Sequence, residues 1–88
     1  MKSITVLAIR HLSKNNLVIY LTNGTRVLNS CGVNVAEIRK GKTRLDKRYW
    51  NYSYTACRGR CAFLGEKIDE TDRKIRSGEY ILTDLNYI

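Results

Sequence analysis

The chain has 88 residues, of which 43% are hydrophobic and 27% charged, and its formal net charge is +8. That apolar share excludes a fully disordered chain, the length allows one domain with a modest core, and no apolar run approaches the roughly 20 residues that cross a bilayer. So much positive charge on so short a chain calls for an anionic partner, and nucleic acid is favoured over a membrane surface because no basic helix with a broad apolar face is visible.

In chain order, Ile4 to Ile9 is short and β-branched and reads as a buried strand. The same segment turns polar soon afterwards and lacks a small-residue cleavage site, so it is not read as a signal peptide. His11 to Asn16 is a polar turn, and Leu17 to Thr22 is a second strand. Asn23-Gly24 is a strong hairpin signal, since a type I′ turn needs positive φ at both central residues. A two-residue loop there would pair Tyr20 with Val27 and Ile19 with Leu28, with Thr25 to Asn29 as the returning strand. Those pairs lie on opposite faces, so both faces of the hairpin are expected to be covered.

Asn34 and Glu37 fit a variant capping box, Arg39 and Lys40 suit a last helical turn, and Gly41 suits the residue after it. This predicts a short helix over Val35 to Lys40, against a competing strand reading in which Val33, Val35 and Glu37 alternate. Lys42 to Asp46 reads as a charged loop. Lys47 to Cys57 alternates with period two and predicts a strand with Trp50, Tyr52 and Tyr54 on one face and Tyr49 on the other. Arg58 to Arg60 is then a turn and Cys61 to Leu64 a returning strand. Leu64, Ile68 and Ile75 share a helical face, acids precede bases, and Gly78 follows, which predicts a helix over Glu66 to Arg76. Glu79 to Leu85 is a last strand. The sum is an α+β fold, a small single domain with a mostly antiparallel sheet and one or two short helices.

One stretch concentrates the chemistry. Between Arg39 and Arg60 lie eight of the sixteen Lys/Arg residues and four of the eight aromatics, with Asp46 as the sole acid. The candidate nucleic-acid-binding residues are Arg39, Lys40, Lys42, Arg44, Lys47, Arg48, Tyr49, Arg58 and Arg60. Cations would hold phosphates, and exposed aromatics would stack on unpaired bases, which favours RNA over duplex DNA. Trp50, Tyr52 and Tyr54 are either such a stacking face or the buried side of a strand, and the alternation fits both.

Other chemistry is thin. Cys57 and Cys61, with Cys31 and His11, do not make the paired spacing of a zinc site. Lys40 to Thr43 resembles the end of a phosphate-binding loop, but Ala36 stands where its first glycine belongs. His11 has no nucleophile motif beside it. No catalytic residue, metal or cofactor is expected, and three cysteines without a disulfide framework suit a reducing cytoplasm. The expected function is non-enzymatic RNA binding by occupancy or sequestration, in the manner of a small phage-type accessory inhibitor of a host RNA-dependent defence or toxin ribonuclease. Two alternatives stand: an inhibitor that docks on an acidic or nucleic-acid-binding surface of a host protein, and a small DNA-binding regulator. The acids Glu66, Asp69, Glu70 and Asp72 would bind a basic protein, or support self-association against a neighbour's basic patch.

Overall fold

A computed structural model describes residues 3–86. Six strands form one sheet in sequence order: β1 (Val6–His11), β2 (Asn16–Leu21), β3 (Arg26–Ser30), β4 (Val33–Arg39), β5 (Lys42–Asp46) and β6 (Ile81–Thr83). Two helices, α1 (Tyr54–Leu64) and α2 (Ile68–Ser77), lie between β5 and β6. Pairing is antiparallel throughout except for β5 and β6, which run parallel because the two helices return the chain to the end where β5 began. The architecture is α+β, as the sequence predicts.

The turns explain why this sequence forms a meander. Cys31-Gly32 and Lys40-Gly41 are two-residue loops between the paired residues Ser30/Val33 and Arg39/Lys42, and all four loop residues have positive φ. That is the type I′ geometry, whose twist matches that of the flanking strands. Asn23-Gly24 forms a different turn. The loop spans Thr22 to Gly24, closed by Leu21 N–H donating to Thr25 O at 2.9 Å and Gly24 N–H donating to Leu21 O at 3.0 Å. Gly24 alone takes positive φ, while Asn23 uses its side chain to accept from Thr25 N–H at 3.0 Å. A three-residue loop shifts the register by one from the two-residue expectation, so Ile19 pairs with Val27 and Tyr20 with Arg26.

Three predicted elements change. Val33–Arg39 is strand, because Gly41 with positive φ serves a hairpin as well as it serves a helix end, and here pairing on both sides decides. Lys42–Asp46 is strand rather than loop. The strand expected over Lys47 to Cys57 is absent: residues 47–53 are turn, and Tyr54–Leu64 is helix rather than strand end, turn and return strand. Ser53 caps it by accepting from Ala56 N–H at 3.1 Å, and Gly65 closes it in the left-handed conformation. The prediction for α2 holds, with Asp69 and Glu70 in its first turn and Lys74 and Arg76 in its last.

Both helices and the chain around them supply one layer of the core. Val18, Leu28, Ala36 and Leu45 form a row of cross-strand neighbours, all buried. Val35, the extra residue of a bulge in β4, is buried too, and Ala56 of α1 and Tyr80 complete the cluster. α1 packs on β2, β3 and β4. Its Gly59 is set by close approach, since a Cβ there would collide with the carboxamide of Asn16. The next row, Ile9, Ile19, Val27, Glu37, Arg44 and Ile81, faces the other way. Its members are half-buried or exposed, and Ile9 and Ile81 remain 54% and 52% exposed. The sheet thus has a covered face and an open one, so covering of the β2–β3 hairpin on both faces is not found.

Candidate nucleic-acid interface

The basic stretch is continuous in sequence and divided in space. Arg39, Lys40 and Lys42 sit at the tip of the β4–β5 hairpin, all exposed. Alternation and register put Arg39, Lys42 and Arg44 on the open sheet face, with Arg44 half-buried opposite Glu37. Lys47 and Arg48 follow the far end of β5, about 16 Å away at the usual strand rise, and are exposed. Arg58 lies on α1 and is exposed as well.

Arg60 does not belong to this surface. It is 0% exposed, on the buried face of α1 with Ala56 and Gly59. Its Nε donates to Trp50 O at 2.9 Å, one terminal nitrogen donates to Cys57 Sγ at 3.1 Å, and its guanidinium lies 5.1 Å from the centre of the Trp50 ring. The arginine holds the 50–53 turn to the helix. Tyr49 is half-buried against the core, its ring edge-on to Tyr52 at 5.1 Å, and so offers little free stacking surface. Trp50 also packs on the core. Among the described residues the exposed aromatics are Tyr52 and Tyr54, at 42% and 76%. Tyr54 opens α1 and carries the Arg58 guanidinium 5.8 Å from its ring centre. The i, i+4 spacing that joins this pair exists only in a helix, and the period-two pattern of the segment does not signal it.

The acid within the stretch does not neutralise it. Asp46 is 1% exposed, and its carboxylate accepts from the backbone N–H groups of Arg48, Tyr49 and Leu85 at 3.0, 2.9 and 2.7 Å. Burial alone would raise its pKa; the hydrogen bonds from Leu85, Arg48, Asn86 and Tyr49 outweigh burial and hold it below the usual value. Among the described residues the ion pairs are Lys74–Glu66, Lys74–Glu79 and Arg76–Asp72, and none involves a cation between Arg39 and Arg60.

Lys14, in the β1–β2 loop, adds an exposed cation beside α1 that the charge count of the central stretch passes over. Cys31, Cys57 and Cys61 are free thiols, and burial pushes that of Cys61 up. Among the described residues no three His, Cys, Asp or Glu side chains are brought together as metal ligands, and no helix is long and apolar enough to cross a membrane. Compared with protein-family models, curated proteins and solved structures, the chain matches none.

Proposed function

We propose that this protein binds RNA through its exposed cations and acts by occupancy, covering the strand it holds. The observation that carries the reading is the lack of internal compensation: Arg39, Lys40, Lys42, Lys47, Arg48 and Arg58 are exposed, and none forms an ion pair among the described residues. Such a surface carries the cost of its own repulsion unless a polyanion neutralises it. Single strands are favoured over duplex DNA on two grounds. Tyr52 and Tyr54 offer exposed rings to unpaired bases. Neither helix suits a major groove, since α1 buries one face on the sheet and α2 begins with Asp69 and Glu70.

Fluorescence polarisation with labelled single-stranded RNA tests the proposal. For about four phosphate contacts, affinity should fall roughly fiftyfold between about 50 and 200 mM salt. A Lys42→Glu, Lys47→Glu, Arg48→Glu variant should lose binding with its circular dichroism unchanged. Absence of binding at about 50 mM salt would overturn the reading.

A second reading rests on the open sheet face. Leu17, Ile19, Leu21 and Val27 are apolar and only half-buried there, with Glu37 beside Val27 and Arg39, Lys42 and Arg44 beyond on β4 and β5. An aliphatic patch with a basic rim suits a protein that carries an acidic surface around an apolar one. On this reading the protein would block a nucleic-acid-binding enzyme directly, and capture of that enzyme would survive nuclease treatment.

A further inference from the structure

A groove of about 360 Å³ opens between the β1–β2 loop and α1. That volume is at the lower end of the range for small-molecule sites. Lys14 and Asn15 line one wall, Tyr54 and Arg58 the other, and the buried Asn16 and Gly59 lie between them. Among the described residues no carboxylate lines it.

The walls are pinned in place. The Asn16 amide donates to Ser13 Oγ at 3.1 Å and to Thr55 O at 3.1 Å, which ties loop and helix together. Gly59 lets them approach, as a Cβ there would strike Asn16. A groove whose two sides are bonded to one buried side chain keeps its shape before a ligand arrives, so little ordering entropy is lost on binding.

The lining defines the ligand. Two cations without an acid select an anion. The ring of Tyr54, 76% exposed with a guanidinium beside it, selects a planar group. We propose that the groove holds one unpaired nucleotide, its base stacked on Tyr54 and its phosphate gripped by Lys14 and Arg58. The proposal rests on the RNA reading and gives it a defined subsite that discriminates unpaired from paired bases, because a base in a duplex cannot offer its face to Tyr54.

Two measurements on the full chain test it. In a nuclear magnetic resonance titration, AMP should shift the amide signals of Lys14, Asn15, Tyr54 and Arg58, and inorganic phosphate should shift those of Lys14 and Arg58 with little change at Tyr54. In polarisation, Tyr54→Ala should weaken single-stranded RNA binding by about fivefold or more and leave blunt duplex RNA unchanged, whereas Tyr54→Phe should bind as the unsubstituted protein does. Tyr54 is mostly exposed, so the variants should fold. If AMP leaves these amides unmoved, or Tyr54→Ala binds single strands normally, the subsite is overturned while salt-dependent RNA binding can stand. If no RNA binds but AMP shifts the groove, the RNA reading fails and a mononucleotide site remains.

Discussion

Glu66 and the cations of the Arg39–Arg58 surface show two ways of handling charge in one small domain. The Glu66 side chain is 4% exposed and accepts hydrogen bonds from Lys74 at 2.8 Å, Tyr80 at 3.0 Å and Thr71 at 2.8 Å. One carboxylate thereby joins the end of α1, the body of α2 and the approach to β6. Burial by itself would raise its pKa; the bonds from Lys74, Thr71 and Tyr80 overcome burial and lower it, and the bond to Glu66 raises the pKa of Lys74. The cations on the other side have no such partners. At Asp46 and Glu66 the buried charge is satisfied, whereas Arg39, Lys40, Lys42, Lys47, Arg48 and Arg58, which form no ion pair among the described residues, are exposed. Arg60 is the intermediate case: buried, bonded to Trp50 and Cys57, but with one terminal nitrogen that finds no acceptor.

The largest expected effect comes from Asp46, the acid that sits in the basic stretch yet serves the backbone. Asp46→Ala would strand the N–H groups of Arg48, Tyr49 and Leu85. At about 1.5–3 kcal/mol for a hydrogen bond to a charged group, discounted because these three bonds are only part-buried, the loss should be about 3 kcal/mol, a large part of a stability of about 5–15 kcal/mol. Urea denaturation measures it. A loss below about 1 kcal/mol would mean that water replaces the carboxylate and that the turn after β5 does not depend on it.

Glu66→Gln should cost less, about 1–2 kcal/mol: the amide oxygen keeps an acceptor for Thr71, the amide nitrogen gives up the acceptor for Lys74 and Tyr80, and Lys74, 25% exposed, can turn to water. The variant should bind RNA as the unsubstituted protein does. Its pH dependence sharpens the point. Since the Glu66 pKa is lowered in the folded state, its contribution is present above the ordinary carboxylate value of about 4 and is lost as pH falls through the folded value. Lys74 has the opposite sign: its raised pKa supports the fold below the ordinary lysine value and ceases to do so only as pH rises through the folded one. Thermal melts between pH 7 and pH 3 should therefore fall more steeply for the unsubstituted protein than for Glu66→Gln, with the shared residual slope coming from Asp46.

The same division explains what could be read from the residues beforehand. α2 and strands β1 to β3 were legible because their signals are local: β-branched runs, and acids, bases and glycine in helical order; the expected burial of the first strand is not found, since β1 is an edge strand exposed along its whole length. β4 and α1 were not, because their local signals are shared by two structures. Gly41 closes a helix or a hairpin equally well, and Trp50, Tyr52 and Tyr54 alternate across a turn and a helix start without forming a strand. The better signal in that region was Ser53 as a cap and Ala56, Gly59, Arg60 and Phe63 as one helical face. For the interface, the concentration of charge was plain from composition. Its division between the hairpin tip, the turn after β5 and α1 required the topology, and so did the removal of Arg60 from it.

The smallest expected effect is the one that most directly tests whether the exposed cations are kept for binding. Replacing Lys42 and Lys47 by Gln removes no hydrogen bond or ion pair found among the described residues. Exposed substitutions of this kind usually stay within about 0.5 kcal/mol. Here the sign should favour the variant, because the remaining positive charges repel less. Salt separates that effect from chance. Raising ionic strength shortens the screening length toward a few ångströms, so the midpoint of the unsubstituted protein should rise with added chloride and that of the double variant should rise less. The exposed Arg76–Asp72 pair on α2 works in the opposite direction, and its loss on screening is limited to a few tenths of a kcal/mol. A midpoint that falls with salt in both proteins would show that paired charge, rather than unpaired charge, dominates the folded state.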